Sequence, residues 1–390
     1  MPKPARFMLV AGEPSGDALG AGLMAALKDS APGAIEFSGV GGPLMAAEGL
    51  QSLFPMQDIT VMGLAEVLPR LRLIMGHLRR TTDFAARTRP DVVVTIDSPG
   101  FNFRLARRLH PKGLRLVHYV APTVWAWKPG RARRIAPLFE HLLALLPFEP
   151  PYFEVEGLAC TFVGHPVAGI AAEPGAGAAF RARHGIGAEV PVVCVLPGSR
   201  HSEVSRLLPV FGDAVRELCR GRPPLRVVVP AVEAMAAEIN RAAERWPGTP
   251  VVVTGDAEKL PAFAASDAAI AASGTVALEL AVAQVPTVIA YRLHPLTWWL
   301  ARRLVRVRYV NLVNLILDRP EIPELLQDAC TAPNLARETA RLLDDEAARK
   351  QQVAAAAEAV SALAPGGESP SVRAARILWD LLGKAKPNTP

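Results

Sequence analysis

Length, composition and charge set the first limits on this chain of 390 residues. Half of the residues are hydrophobic and 21% are charged, which provides for sizeable cores and excludes a disordered or fibrous protein. The length exceeds that of one typical core and predicts two domains. The formal net charge of +6 is compatible with anionic ligands, nucleic acid or an anionic membrane surface, and does not choose among them.

The cysteines and histidines give no sign of a metal site. Cys160, Cys194, Cys219 and Cys330 are scattered, without a CxxC pair and without a histidine at metal-ligand spacing. They predict reduced, mostly buried thiols, and we interpret His118 and His165 as structural. The sequence shows neither the features of a signal peptide nor an uninterrupted apolar run of membrane-spanning length, so we expect a cytoplasmic protein.

The first half of the chain alternates short apolar runs with helical patterns. The predicted strands are Phe7–Ala11, Ile35–Val40, Asp91–Ile96, Leu114–Val120 and Leu142–Leu146. The turn Gly12–Asp17 leads into a predicted helix, Ala18–Lys28. Strands separated by helices predict a parallel sheet with both faces covered, and therefore a doubly wound α/β domain.

The same alternation begins again after a Gly/Ala/Pro-rich stretch, Ala171–Ala179, which we interpret as a linker. The predicted strands are Pro191–Leu196, Leu225–Pro230, Val251–Thr254, Ala268–Ala272 and Thr287–Tyr291, with helices that include Glu203–Leu218. Pro333–Leu382 is helical in pattern. We therefore predict two Rossmann-like doubly wound domains, 1–168 and 169–345, facing a central cleft, and C-terminal helices in 346–390 that bridge back to the first half.

The stretch Ala268–Tyr291 places a Ser-Gly-Thr turn between an apolar strand and an Ala/Leu/Val-rich helix. Backbone N–H groups at a helix N-terminus favour phosphate, so Ser273, Gly274 and Thr275 are a candidate diphosphate site. Glu279 lies one helical turn further on the same face, where its carboxylate could take two sugar hydroxyls. The alternative is that Ser273 or Thr275 only caps the helix and that Glu279 is its solvated edge.

Another candidate turn, Pro197–Arg200, directly follows the first predicted strand of the second domain. Gly198 allows close approach of the backbone to a ligand, Ser199 offers a hydroxyl, and Arg200 offers a guanidinium suited to phosphate. Alone, this sequence predicts no more than a turn. Together with the Ser-Gly-Thr turn at a second strand end, it favours a diphosphate site.

In the first domain, the apolar strand Asp91–Ile96 is followed directly by Asp97. A carboxylate held at the end of a buried strand can have a raised pKa and act as a general base. The alternative is that Asp97 caps a helix that begins near Pro99. Glu13 and Asp17, in the first turn of the chain, are rival carboxylates.

Two segments combine an apolar stripe with arginines. The first stripe is Leu64, Val67, Leu68, Leu71, Ile74, Met75 and Leu78, with Arg70, Arg72, Arg79 and Arg80 mostly off it. The second segment is Trp298–Arg308. Such stripes are typical of a core, but basic amphipathic segments also bind anionic membrane surfaces. We expect a peripheral, salt-sensitive membrane association.

Motifs that together span nearly the whole chain match the pattern of one protein family. They are Gly12–Asp17, Ile96–Pro99, Pro122–Trp127 with Arg131, Leu196–Arg200 with Glu203, Ser273–Glu279, Tyr291–Arg292, Tyr309–Asn314 and Pro323–Gln327. In this order they resemble the lipid-A-disaccharide synthase family, glycosyltransferases of the GT-B architecture. Two positions depart from the family pattern. Gly100 replaces a frequent second Asp, which favours Asp97 as the base, and Val313 replaces a common Pro, which leaves the pose of Asn314 open.

The resemblance implies transfer of 2,3-diacylglucosamine from its UDP derivative to the 6-hydroxyl of 2,3-diacylglucosamine 1-phosphate, with inversion and release of UDP. It implies a location at the inner face of the inner membrane, no cofactor and no metal. Asp97 would be the base. The implied donor-binding residues are Arg200, Ser199, Ser273, Gly274, Thr275, Glu279, Asn314 and Gln327, and the acceptor-side candidates are Glu13, Ser15, Asp17 and Trp127.

Two other functions stay open at this stage. A UDP-sugar epimerase could use the same two domains and the same donor residues without an acceptor. The basic charge, with Trp125, Trp127 and Trp298, is also compatible with a nucleic-acid-binding protein. This last function is disfavoured because the arginines accompany apolar stripes and no recognition module is visible.

Overall fold

The structure, a computed structural model, describes residues 3–60, 64–127, 130–294, 298–299 and 307–383, with 64–69 described by their backbone alone. The chain divides into two compact units. The first comprises Met1–Pro166 and Ala364–Pro390, and the second comprises Val167–Leu363. The acceptor role of domain 1–168, the donor role of domain 169–345 and the bridging role of 346–390 stay predictions.

The first unit contains six parallel strands in the order β2-β1-β3-β4-β5-β6. The strands are β1 (Ala5–Ala11), β2 (Ile35–Val40), β3 (Val92–Ile96), β4 (Leu116–Tyr119), β5 (His141–Ala144) and β6 (Cys160–Phe162). The α-helices are Pro14–Asp29, Pro43–Ala47, Leu64–Thr88, Pro99–Leu109, Gly130–Ile135, Pro151–Glu154 and Pro370–Gly383. β3 is wholly buried, as expected for a continuous apolar run in a parallel sheet that is covered on both faces.

The second unit has the same plan, with strand order β12-β11-β10-β7-β8-β9. The strands are β7 (Val192–Leu196), β8 (Arg226–Ala231), β9 (Val251–Thr254), β10 (Ala268–Ala272), β11 (Thr287–Tyr291) and β12 (Glu324–Leu326). The α-helices are Ala176–Arg183, His201–Cys219, Glu233–Ala243, Asp256–Ala264, Val276–Val282, Leu312–Leu317, Ala332–Asp344 and Glu346–Leu363. The predicted doubly wound α/β class is confirmed in both halves.

Each sheet has a point at which the strand order reverses. In the first sheet this point lies between β1 and β3, whose register pairs Ala11 with Ile96. In the second it lies between β7 and β10, whose register pairs Leu196 with Ala271. Open α/β sheets bind ligands beyond the carboxyl ends of the strands at such a point. The segments that follow these four strands are therefore the places to look for sites.

The helix Pro370–Gly383 packs into the core of the first unit. Leu378 is fully buried there, and the Trp379 ring meets the Phe7 ring edge-on at a centroid distance of 5.4 Å. Arg373 donates from Nη2 to the carbonyl oxygen of Phe162 at 3.2 Å. The last described helix thus completes the hydrophobic core of a sheet whose strands come from the start of the chain.

Two expectations about secondary structure were wrong. The supposed linker Ala171–Ala179 contains the start of the helix Ala176–Arg183. A Cβ on Gly177 would lie 2.3 Å from the carbonyl oxygen of Ala264, so the small residue serves a close helix–helix contact. The strands β6 and β12 were not predicted, because each has three residues, lies at a sheet edge and is too short to show a period.

The first apolar stripe belongs partly to the core. Leu78 is buried, Ile74 and Met75 pack against the core, and Leu71 and Leu73 are exposed. The side chains of Leu64, Val67 and Leu68, and most of the second segment from residue 300 to 306, lie outside the described residues. Among the described helices, none combines the length and apolar character needed to cross a membrane.

The four cysteines are free thiols, of which Cys160, Cys194 and Cys330 are buried. His118 is buried and shares a hydrogen bond of 2.7 Å with the Thr95 hydroxyl. Burial lowers the pKa of His118 to about 3 and that of His165 to about 4. Both imidazoles therefore stay neutral at physiological pH, in keeping with the structural role predicted for them.

Candidate functional site

A cavity of about 470 Å³ lies at the switch point of the second sheet. Its wall comes from the carboxyl ends of the four strands β7, β8, β9 and β10 and the segments that follow them. The predicted donor-binding residues that line it are Ser199, Ser273, Gly274, Thr275 and Glu279. Two motifs that lie more than 70 residues apart in the sequence therefore meet at one cavity. Arg200, Asn314 and Gln327 do not line it.

The turn after β7 is fixed by a carboxylate that sequence reasoning gave no role. Glu203 accepts a hydrogen bond from the Ser199 backbone N–H at 3.3 Å and one from Arg200 Nη1 at 3.1 Å. Gly198 has a φ of +115°, and a Cβ there would lie 2.8 Å from the Glu203 Cβ. The turn thus requires glycine at this position. It leaves the Arg200 side chain 65% exposed and able to reach a ligand.

The turn after β10 is open toward the cavity. Thr275 is the N-cap residue of the helix Val276–Val282, but no side chain makes a capping hydrogen bond, so the alternative that Ser273 or Thr275 only caps the helix was wrong. The Ser273 hydroxyl instead donates to the carbonyl oxygen of Val310 at 3.3 Å. The position of a Cβ on Gly274 has no atom within 4 Å, which leaves room for a bound group close to the backbone.

Glu279 is held by an ion pair, so the alternative that it is a solvated edge of the helix was wrong. Its side chain is 20% exposed, and its Oε2 lies 2.9 Å from Lys259 Nζ. The same ammonium lies 2.9 Å from Asp256 Oδ1. Burial alone would lower the pKa of Lys259, but its two carboxylate partners outweigh burial and raise that pKa. Lys259 and Asp256 also line the cavity, and no local sequence pattern linked them to Glu279.

Asn314 is buried and its amide is used within the protein. Its Nδ2 donates to the Ile322 carbonyl at 2.8 Å and to Glu324 Oε1 at 2.9 Å. The two oxygens of Glu324 also accept the backbone N–H groups of Val310 and Asn311, each at 2.9 Å. Because the Val310 carbonyl accepts from Ser273, this network fixes a segment that contacts the cavity wall. Asn314 thus stabilises a segment next to the cavity, and its contact with the donor stays a prediction.

Two further details concern the same region. Val313 donates its N–H to Asn311 Oδ1 at 2.6 Å, a bond that the proline common in the family could not make. Gln327 directly follows β12 and adopts a left-handed conformation with a φ of 50°. Its role in the donor pocket stays a prediction.

At the switch point of the first sheet, Asp97 follows β3 in an unusual backbone conformation. Asp97 and Ser98 have φ values of 47° and 44°, a left-handed pair that is rare for residues other than glycine. Asn102 Nδ2 holds the pair in place by donating to the carbonyls of Asp97, Ile96 and Val10 at 2.8, 3.0 and 3.3 Å. No sequence pattern indicated this role for Asn102.

The carboxyl group of Asp97 is partly buried. Burial raises its pKa, and a hydrogen bond from the Ser98 backbone opposes that rise in part. The helix Pro99–Leu109 has Ser98 as its N-cap residue and no side-chain capping bond, so the alternative that Asp97 caps this helix was wrong. A partly desolvated carboxylate with a raised pKa can accept a proton from an alcohol more readily than an exposed one.

The rival acid Asp17 has a structural role. It is 2% exposed and accepts three hydrogen bonds, from the backbone N–H groups of Gly42, Leu44 and Met45 at 2.8, 3.0 and 3.0 Å. These bonds complete the N-terminus of the helix Pro43–Ala47. Its carboxylate is therefore used in hydrogen bonds that stabilise the fold.

The other acceptor-side candidates lie at or near the surface. Glu13 is half-buried at the N-cap position of the helix Pro14–Asp29, and Ser15 is exposed. Trp127 is 40% exposed, with the Arg131 guanidinium carbon 5.9 Å from its ring centroid. Trp125 is half-buried and donates from Nε1 to Glu149 Oε1 at 3.2 Å. Whether Glu13, Ser15 and Trp127 contact an acceptor stays a prediction.

Metal binding was also considered for the described side chains. They contain no group of three or more His, Cys, Asp or Glu residues arranged to hold an ion. The metal independence expected from the sequence stays a prediction. The described cavity is lined by three residues with hydroxyl groups and by backbone N–H groups, and the Arg200 guanidinium follows directly after its lining residue Ser199. All of these groups can stabilise negative charge.

Comparison with known proteins gives one consistent family. A family model described as lipid-A-disaccharide synthetase matches residues 7–372. The chain is 55% identical over 384 residues to the lipid-A-disaccharide synthase of Rhodospirillum centenum, with 98% of this chain and 96% of that protein covered. It is 50% identical over 382 residues to that of Paramagnetospirillum magneticum, with coverage of 97% and 98%.

Comparison with solved structures bears on the fold of this chain. The chain is similar to a putative UDP-N-acetylglucosamine 2-epimerase from Listeria monocytogenes, with a TM-score of 0.65 and 99% of each chain covered. The identity is 14%, so this likeness bears on the fold alone. It confirms the architecture of two doubly wound domains and does not choose between an epimerase and a transferase.

Proposed function

The chain belongs to the lipid-A-disaccharide synthetase family, and from that premise we propose that it is a UDP-dependent glycosyltransferase. It transfers 2,3-diacylglucosamine from UDP-2,3-diacylglucosamine to the 6-hydroxyl of 2,3-diacylglucosamine 1-phosphate. The observation that carries the proposal is identity of 50–55% with lipid-A-disaccharide synthases over nearly the whole chain. The products are the β-1,6-linked disaccharide 1-phosphate and UDP.

The second unit binds the donor. Ser199, Ser273, Gly274 and Thr275 line the cavity. Their backbone N–H groups, with the hydroxyls of the two serines and the threonine, hold the diphosphate. Arg200 reaches the same phosphates from the turn after β7. Glu279 accepts the ribose hydroxyls through Oε1, since Oε2 faces Lys259. These groups stabilise the negative charge that develops on UDP as the glycosidic bond breaks.

The first unit supplies the base. The Asp97 carboxylate takes the proton of the acceptor 6-hydroxyl while that oxygen bonds to the anomeric carbon of the donor. The bond between the anomeric carbon and the UDP oxygen breaks in the same step, and the configuration at that carbon is inverted. The left-handed backbone at Asp97 and Ser98 supports this role, because strained conformations are maintained mainly at functional sites.

The products distinguish this function from its alternatives. Incubation with UDP-2,3-diacylglucosamine and 2,3-diacylglucosamine 1-phosphate is expected to yield disaccharide 1-phosphate and UDP in equal amounts. Release of a free sugar epimer without disaccharide would instead indicate an epimerase. Salt-dependent binding of nucleic acid without UDP binding would indicate the non-enzymatic alternative.

The ion pair of Lys259 with Glu279 leads to a specific prediction. Lys259→Met frees the Glu279 carboxylate to rotate, so UDP affinity is expected to fall about tenfold, since hydrogen bonds to charged groups are strong. Affinity for 2′,3′-dideoxy-UDP, which lacks the ribose hydroxyls, is expected to change little. Calorimetric titration of both nucleotides measures the difference. Lys259→Arg retains the charge and is expected to restore part of the UDP affinity.

Lys350→Met is the matched control, because Lys350 is an exposed lysine paired with Glu346 in a helix. It is expected to bind both nucleotides as the wild type does. If Lys259→Met lost affinity for both nucleotides equally, Lys259 would not act through the ribose hydroxyls. No loss of either would mean that the ion pair has no part in donor binding.

Peripheral membrane association is part of the proposal. The exposed Leu71 and Leu73 alternate with the exposed Arg70 and Arg72, a surface suited to an anionic interface. The protein is expected to sediment with vesicles containing phosphatidylglycerol at low ionic strength and to be released by salt. Binding that persists unchanged in high salt, or no binding at low salt, would contradict this expectation.

A further inference from the structure

A cavity of about 290 Å³ lies in the first unit, beside the strand end that carries Asp97. Four arginines line it, with Phe103 and Ile135 as apolar lining: they are Arg104, Arg107, Arg131 and Arg134. Pro99 and Gly100, the first two residues of the helix Pro99–Leu109, complete the wall. The cavity thus combines a helix N-terminus with four cationic side chains.

The four arginines have no carboxylate partner among the described side chains, within 4 Å. Other arginines of this chain do: Arg115 and Arg181 lie 2.8 Å from Glu140 and Asp267. In the cavity, by contrast, Arg104 and Arg134 donate to backbone carbonyls of their own helices. Four like charges around one cavity repel one another, and a bound anion would relieve that repulsion.

The helix adds to the positive field. Ser98, its N-cap residue, makes no side-chain capping bond to the first turn. The helix has 11 residues, so its dipole places a partial positive charge at Pro99 and Gly100. Guanidinium groups bind phosphate oxygens in pairs and with defined geometry. A phosphate monoester is the ligand chemistry that suits this combination.

We propose that this cavity binds the 1-phosphate of the sugar acceptor, an inference that rests on the proposed function. Gly100 follows Asp97 by three residues, so their Cα atoms lie at most about 11 Å apart. In the hexose ring, C1 carries the phosphate and C5 carries the CH₂OH group with the 6-hydroxyl, and both carbons bond to the ring oxygen. Both substituents thus lie on the same side of one sugar, so a phosphate bound at this cavity is compatible with a 6-hydroxyl that reaches Asp97.

The test uses the variant Arg104→Gln/Arg107→Gln of the full chain in non-ionic detergent micelles, where no charged bilayer is present. The KM for 2,3-diacylglucosamine 1-phosphate is expected to rise about 10- to 100-fold, the effect of losing charged hydrogen bonds. The KM for the UDP donor is expected to stay at its wild-type value. Glucosamine 1-phosphate is expected to inhibit the wild type more strongly than glucosamine, and the variant should lose this preference.

Arg133→Gln is the matched control, since Arg133 is exposed on the helix Gly130–Ile135 but does not line the cavity. An unchanged acceptor KM in the double variant overturns the inference, as does an equal rise in the donor KM. An unchanged acceptor KM with weaker binding to phosphatidylglycerol vesicles would assign the cavity to lipid headgroups instead. Failure of the wild type to form disaccharide would count against the proposed function, and is seen before any variant is made.

Discussion

Asp97→Asn is expected to lower the rate of disaccharide formation by roughly 10²-fold or more. The amide has the size of the carboxylate but cannot accept the proton of the acceptor hydroxyl. Asn also tolerates the left-handed conformation that Asp97 adopts, so the backbone at the end of β3 should be retained. Turnover is measured by separating the disaccharide product, and UDP affinity by titration. UDP affinity is expected to be unchanged.

The raised pKa of Asp97 affects the pH dependence of both the reaction rate and the folding free energy. The base must be ionised, so the wild-type rate should fall as the pH is lowered through that pKa, at a higher pH than for an exposed aspartate. The folded-state pKa lies above that of the unfolded chain, so the ionised carboxylate costs folding free energy at neutral pH. This cost begins to fall once the pH drops below the folded-state pKa and is gone below the pKa of the unfolded chain.

Asp97→Asn should therefore be inactive and at least as stable as the wild type in thermal unfolding at neutral pH. Asp83→Asn, at an exposed position in the same unit, is expected to retain both activity and stability. A stable Asp97→Asn variant with near wild-type turnover would remove Asp97 from the role of base. A large loss of stability would point instead to a structural carboxylate.

The sequence predicted most of the fold because its signals are local. Ten apolar runs, such as Val251–Thr254, gave ten strands within about two residues of their observed ends. The failures were of two kinds. Three-residue edge strands such as Glu324–Leu326 have no period to detect. In Ala171–Ala179, small residues typical of linkers instead allow a close helix contact at Gly177.

The site was only partly predictable, for a different reason. The strand ends were identified, but their neighbours depend on a strand order that places β1 beside β3 and β7 beside β10. Contacts such as Lys259 with Glu279 join segments that no local pattern connects. Asp17 shows the converse, because its motif suggested chemistry whereas its carboxylate binds three backbone N–H groups. Strand order and partner choice are tertiary properties.

Arg200→Gln is expected to lower kcat about 10²- to 10³-fold, the usual effect of removing a group that stabilises developing charge. The turn after β7 places this guanidinium beside the cavity, and its described partner is Glu203, three residues away. Arg200→Lys keeps the charge but not the planar fork, so it should recover only part of the loss. Steady-state rates at saturating donor and acceptor measure the effect. UDP affinity should fall as well, because the product carries the charge that Arg200 stabilises.

A matched control separates this role from that of an ordinary surface arginine. Arg220 is also exposed and also pairs with a Glu three residues away, at the other end of the helix that follows Arg200. Such pairs contribute little to stability, so Arg220→Gln and Arg200→Gln should both unfold close to the wild-type temperature. Only Arg200→Gln should lose turnover. If the two variants were equally active, the UDP phosphates would have to be held by Ser273, Gly274 and Thr275 without the arginine. If Arg200→Lys matched the wild type, charge alone would be sufficient and the paired hydrogen bonds of the guanidinium would be unnecessary.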